Sequence, residues 1–184
     1  MEAFPNLKTQ PMLVKSLLMS SAYELDTVDD IYSTEISVEP ALTRECGPGM
    51  VDAYAAYTTY LNGNYRYSEW DYLNSYNHAV HVSQSEVDAE KDIYLSLNWM
   101  QWNTANGETW NSEANYNVLN GFQHTLSLYD PTGDLVAVSD YQYDRKQFIR
   151  YKPLETGRYT AKITRSYTGS PAYYPTFAVA HCIK

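Results

Sequence analysis

The chain predicts a mainly β fold, an antiparallel jelly-roll-like β-sandwich preceded by a two-helix segment, and three observations carry that prediction. First, Phe122, Leu126 and Leu128 share one parity while Thr125, Ser127 and Tyr129 share the other, the period-two signature of a strand with one dry face. Second, Asp130-Pro131-Thr132-Gly133 follows at once. Aspartate suits the first turn position, proline presets the backbone of the second, and Gly133 can take the left-handed conformation that closes a type I turn with a bulge. Third, short alternating runs recur from Tyr76 onward, and 19 tyrosines suit the pleated surfaces that such runs build.

The elements follow in order. Thr9 can cap a helix, Pro11 is tolerated in its first turn, and Leu13, Val14, Leu17 and Leu18 recur at helical spacing up to Ala22. From Tyr23 to Glu45 acidic and β-branched residues replace the pattern, which reads as a long surface excursion with a short strand in it. Gly47-Pro48-Gly49 breaks the chain, and Met50, Val51, Tyr54, Ala55, Thr58 and Leu61 then return to helical spacing until Asn62-Gly63. Asp52 in that first turn complements the helix dipole. Beyond Gly63 the period becomes two: Tyr76–Ser85 and Ile93–Trp102 read as strands, the second with Ile93, Leu95, Leu97 and Trp99 on one side. Residues 103–120 are polar and read as a long loop or exposed hairpin. After the central hairpin, Gln147–Tyr151, Gly157–Tyr167 and Phe177–Ile183 supply three more strands. Tyr159, Ala161 and Ile163 point to one side of theirs. The organisation is a helical part over 1–62 and a sandwich over 63–184.

Composition narrows the function classes. With 13 Lys plus Arg against 22 Asp plus Glu the formal charge is -9, so a nucleic-acid backbone would be repelled. No apolar run approaches the roughly 20 residues that cross a bilayer as a helix. Met1-Glu2-Ala3-Phe4-Pro5 has neither the basic flank nor the apolar core of a signal peptide. Cys46 and Cys182 could bridge the helical part to the last strand, but their spacing does not force a pair, and two separate thiols is the plainer reading.

Two blocks carry a family resemblance. Leu7 to Ala22, with Pro11-Met12-Leu13-Val14-Lys15-Ser16-Leu17-Leu18-Met19-Ser20-Ser21-Ala22, resembles the helix near the end of a subtilisin-like serine protease domain. Gly47-Pro48-Gly49-Met50-Val51-Asp52-Ala53-Tyr54-Ala55-Ala56 resembles the glycine-x-glycine segment and closing helix of the same domain. The remainder is similar to the bacterial pre-peptidase C-terminal domain, through Asp92–Leu97, Leu126–Gly133 and Thr156–Thr160. The resemblance implies a secreted or cell-surface bacterial parent whose Gly-Thr-Ser nucleophile, aspartate and histidine lie ahead of Met1. It also implies that this chain carries no catalytic residue and is inactive alone. The expected partner is then the parent's catalytic domain, or a second copy met through the helices. Their apolar residues Leu13, Val14, Leu17, Leu18, Val51, Tyr54 and Ala55 would fold back onto the sandwich or bury themselves in a homodimer.

His78, His81, His124 and His181 fall on or beside strands with no nucleophile elbow nearby, which argues against a hidden serine triad. His78 and His81 are three apart, a ligand spacing on a helix but opposite faces on a strand. Asp130, Asp134 and Asp140 gather around the hairpin turn, where a structural calcium could be held, although turn chemistry already accounts for Asp130. Trp99, Trp102 and Trp110 with Tyr94 and Tyr116 could form an aromatic platform. Trp99 shares the parity of the core, leaving Trp102, Trp110 and Tyr116 as candidate ligand contacts. The competing reading is therefore a stand-alone β-sandwich that binds glycan or protein.

Overall fold

Proline at position 11 costs nothing in a first helical turn, where its missing N–H would have no partner, and α1 (Pro11–Ser20) starts there. The computed structural model describes residues 5–23, 48–68, 77–81, 86–99, 123–140, 145–166 and 177–184. The residue at the helix boundary is Gln10, without a side-chain capping bond, rather than Thr9. Thr9 is drawn into a short 3-10 turn, Pro5–Thr9, that precedes the helix and leaves it one residue early. The second helix, α2 (Ala53–Leu61), begins at an extended Asp52 whose carboxylate accepts a 2.9 Å hydrogen bond from the Ala55 N–H. Asp52 is thus the cap itself and not a first-turn residue. Met50 and Val51 precede the helix, and Met50 pairs with Tyr23 through two 2.8 Å backbone bonds. Asn62 closes α2, and Gly63 turns the chain away at φ +69.

Among the described residues eight strands follow: β1 (Tyr65–Ser68), β2 (Asn77–His81), β3 (Ile93–Trp99), β4 (Gln123–Tyr129), β5 (Leu135–Ser139), β6 (Lys146–Tyr151), β7 (Thr160–Ser166) and β8 (Phe177–Ile183). They form two four-stranded antiparallel sheets, ordered β1-β8-β3-β6 and β2-β7-β4-β5. One apolar cluster draws on both, taking Ile93, Leu95, Leu97, Trp99, Phe177 and Val179 from the first sheet and Leu126, Leu128, Ala161 and Ile163 from the second. Tyr159 lies in the same core and ties its hydroxyl to the Glu155 carbonyl at 3.0 Å.

All seven residues of β3 are buried, although alternation alone predicts one dry face. The reason is a third layer: α1 lies across β3 and β8, so Tyr94, Ser96 and Asn98 are covered from the side away from the second sheet. The strand β1 is absent from the sequence reading because, although Tyr65 and Tyr67 share a face and pack on the α1 cluster, four residues are too few for alternation to mark a strand.

The central hairpin matches its sequence signal. Gly133 N–H donates to the Asp130 carbonyl at 3.1 Å, Asp130 N–H donates to the Asp134 carbonyl at 2.9 Å, and Gly133 sits at φ +93. A register shift between Leu128 and Tyr129 marks the bulge. Nothing lies within 4 Å of where a Gly133 Cβ would stand, so the glycine serves backbone angle and not space. Gly133→Ala is expected to cost about 1 kcal/mol, and Gly133→Asn less, in urea-midpoint measurements. At Gly157 the reverse holds: a Cβ there would collide with the Pro131 ring.

Candidate functional site

The richest chemistry lies where the helices meet the first sheet. On α1, Leu13, Ser16, Leu17 and Ser20 fall at helical spacing on one face, and all four are buried. Leu13 and Leu17 pack with Ala56 of α2 against Ala178 and Ala180 of β8, small residues that let the helix approach the sheet. Ser16 Oγ donates to the Ala178 carbonyl at 2.9 Å and accepts from Asn98 Nδ2 at 2.9 Å, while Asn98 Nδ2 also reaches Ser96 Oγ at 3.0 Å. This polar stitch fixes how α1 lies on the sheet, since a wholly apolar interface could slide. The sequence held one sign of it, two serines within the leucine stripe.

A second cluster closes the end of α1. Lys184 Nζ donates to the carbonyls of Ser21 and Ala22, each at 2.7 Å, where the helix leaves carbonyls unsatisfied. The same ammonium stands 4.2 Å from the Tyr23 ring centroid and 4.9 Å from that of Tyr94. Burial lowers the Lys184 pKa from its ordinary value. Asp52 is held below the usual carboxylate range, first by the Ala55 N–H and then, against some desolvation, by Tyr23 and Lys184. The hydrogen bond and charge of Asp52 raise the Tyr23 phenol in turn. Ser21 Oγ donates to the Asp52 carbonyl at 3.2 Å, so both helices are pinned at one corner. Cys182 is a free, buried thiol beside this corner, its pKa raised by desolvation; its sequence counterpart Cys46 lies outside the described residues. Neither Lys184 nor Tyr23 announces this role in the sequence, because the contact closes across more than 160 positions.

The outer side of the helices is different. Pro11, Val14, Lys15, Leu18, Met19 and Ala22 line an open, largely apolar groove of about 280 Å³ with Pro48, Gly49 and Val51. Beside it Val51 is 59% exposed, Tyr54 76%, and Met50 and Leu61 more than half. The sequence predicts that Val51 and Tyr54, like Leu13 and Leu17, fold back onto the sandwich or are buried in a homodimer. The leucines do, but Val51 precedes α2 and Tyr54 lies on its far side, so both face outward.

The other candidates resolve variously. Trp102, Trp110 and Tyr116 lie outside the described residues. Trp99 is core, its ring meeting His124 edge-on at 4.9 Å. His124 shares the parity of Leu126 and Leu128 and is fully buried, and His181 is buried on β8 with its pKa lowered to about 4 by desolvation. These two histidines are interior side chains and not residues of an open cleft. His78 and His81 lie on β2, in register with Ile163 and Thr160. Asp130 Oδ1 accepts from the Thr132 N–H, the Thr132 hydroxyl and the Asp134 N–H, at 3.0, 2.8 and 2.8 Å. The Thr132 hydroxyl bond leads in holding that carboxyl below its ordinary pKa. Asp130 is therefore committed to the turn; Asp134 and Asp140 are exposed at either end of β5. Among the described residues no group of three or more His, Cys, Asp or Glu gathers around a common point for a metal. Nor, among them, is any helix long and apolar enough to cross a membrane.

No family model matches the chain, and no curated protein matches it.

Proposed function

We propose that the chain is the non-catalytic C-terminal region of a subtilisin-like serine endopeptidase. In this reading α1 and α2 close the peptidase domain, and the two sheets form a jelly-roll β-sandwich that stabilises it, targets it or presents substrate to it. The strand orders support the jelly roll: β1 pairs with β8, β2 with β7, β3 with β6 and β4 with β5, the pairing of one long antiparallel ribbon wrapped into two sheets. One observation carries the accessory role. The helical segment is two-faced: α1 is stitched to the first sheet, while Tyr54 of α2 and Val51 just ahead of it are apolar yet exposed. An exposed apolar surface of that kind marks an interaction site. The reactive serine, histidine and aspartate belong to the peptidase part of the parent.

Complementation tests this reading. The chain is mixed with the peptidase portion of a subtilisin-like enzyme ending ahead of its closing helices, and hydrolysis of a chromogenic peptide is followed. Restored hydrolysis, reduced about tenfold by a Val51→Ser, Tyr54→Ser double variant, is expected, with no fluorophosphonate labelling of the chain itself. Stoichiometric labelling of a serine in the isolated chain overturns the non-catalytic reading. Failure to complement removes its support.

A further inference from the structure

At the C-terminal end of α2 lies a second cavity, of about 300 Å³, bounded by three anchored walls. The first is the close of the helix, from which Thr58, Asn62 and Asn64 line the cavity. There the Asn64 N–H donates to the Thr59 carbonyl at 3.1 Å, and the Asn64 carbonyl accepts from the His181 N–H of β8 at 3.0 Å. The second wall is the segment 86–91, tied down at both ends. Val87 exchanges two backbone bonds with Gly157, at 2.8 and 3.0 Å, and Asp92 exchanges two with Lys184, at 2.9 and 3.1 Å. Between these ties the Ala89 N–H donates to Thr156 Oγ1 at 3.2 Å, and the Lys91 N–H donates to the Asp88 carbonyl at 3.0 Å, closing a turn. The third wall is the end of β8, where Cys182 and Ile183 meet Val87 across the cavity. A site held from three sides needs little ordering when a ligand enters.

Charges of both signs line this one cavity without meeting. Glu86, Asp88 and Lys91 are exposed, and among the described residues Lys91 forms no ion pair with either carboxylate. Asp88 Oδ1 accepts from the Glu90 N–H at 3.2 Å, which holds that carboxylate in place. The C-terminal end of α2 adds partial negative charge and favours a cation. Opposite charges kept apart around a cavity complement a molecule whose own two charges are apart. Val87, 1% exposed, and Ile183 add an apolar surface to the same cavity. Its volume stands at the small end of ligand sites, about 300–1,000 Å³, and so selects a single small molecule over a peptide. We propose that the cavity binds a free α-amino acid with a small apolar side chain. The ammonium pairs with Glu86 and Asp88, the carboxylate with Lys91, and the side chain lies against Val87 and Ile183.

The probe is L-valine, titrated to millimolar concentration against the intact chain and read by backbone amide shifts in nuclear magnetic resonance. Two comparators each lack one charge: isobutylamine has no carboxylate and N-acetyl-L-valine no ammonium. Valine is expected to shift the amides of Asn62, Asn64 and Val87 and to bind about tenfold tighter than either comparator. Lys91→Met is expected to bring valine down to the affinity of isobutylamine, whose own binding is unchanged, whereas Glu86→Gln with Asp88→Asn weakens both. All three substituted positions are exposed, and a thermal melt verifies that the variants fold. Equal affinity of the unsubstituted chain for the three compounds overturns the proposal, as does a valine titration that leaves the Asn62, Asn64 and Val87 amides unmoved. Valine binding indifferent to Lys91→Met overturns it as well.

Discussion

Leu13→Ala is expected to destabilise the whole molecule by about 2–5 kcal/mol and not merely to unfasten a helix. Leu13 is fully buried, and its cluster joins α1 and α2 to Ala178 and Ala180 of β8. The alanines opposite cannot grow to refill the space, so the cavity term adds to the lost transfer energy. Because Ser16 and Lys184 tie the same helix to the sheet and to the last residue, the helix cannot relax outward to cover the loss. For a chain of this length each kcal/mol lowers the melting midpoint by about 2–4 °C. The midpoint followed at far-ultraviolet helix wavelengths and the midpoint followed by near-ultraviolet aromatic signals should fall together. A drop confined to the helix signal would mean that the helices are an appendage and not a layer of the fold.

The second large effect is on pH. Buried His181 is neutral in the folded chain with a pKa near 4, against an ordinary 6.5 when unfolded. Below pH 6.5 the unfolded chain takes up a proton that the folded chain refuses. Stability is therefore full above about pH 6.5, declines as pH falls towards 4, and levels below it, for a total of about 3 kcal/mol. Asp52 and Asp130, whose pKa values are lowered, add their losses further down, below the ordinary carboxylate range. His181→Leu should flatten thermal midpoints between pH 7 and 4.5 while leaving the carboxylate limb intact. A wild-type midpoint already flat over that interval, or an imidazole that titrates near 6.5 by nuclear magnetic resonance, would show that His181 is not desolvated as described.

Strand periodicity made much of this fold legible. The hairpin at Asp130–Gly133 was readable because turn chemistry is local: a proline, a glycine and an aspartate within four positions leave few alternatives. Leu126, Leu128, Ala161 and Ile163 were readable as core because one face of each strand is dry. What escaped depends on distance along the chain. The double burial of β3 comes from a helix some eighty positions earlier, and the Ser16–Asn98 bond spans that same interval. The position of Asp52 as cap turned on where Met50 pairs with Tyr23. The outward face of Val51 and Tyr54 follows from which side of α2 the sheet claims, a choice that two mildly apolar helix faces do not make by themselves. The aromatic platform of Trp102, Trp110 and Tyr116 falls outside the described residues.

α1 is a structural layer of the fold, bonded to the first sheet through Ser16, Ala178 and Asn98; the proposed peptidase contact would use only its outer side. Native-state hydrogen exchange on the intact chain tests this most directly. The Leu17 amide of α1 should exchange only through the same global opening as Leu95 of β3 and Ala180 of β8, with matching free energies and matching denaturant dependence. Exchange at Leu17 through a separate, lower-energy opening, with the β3 and β8 amides still protected, would contradict it.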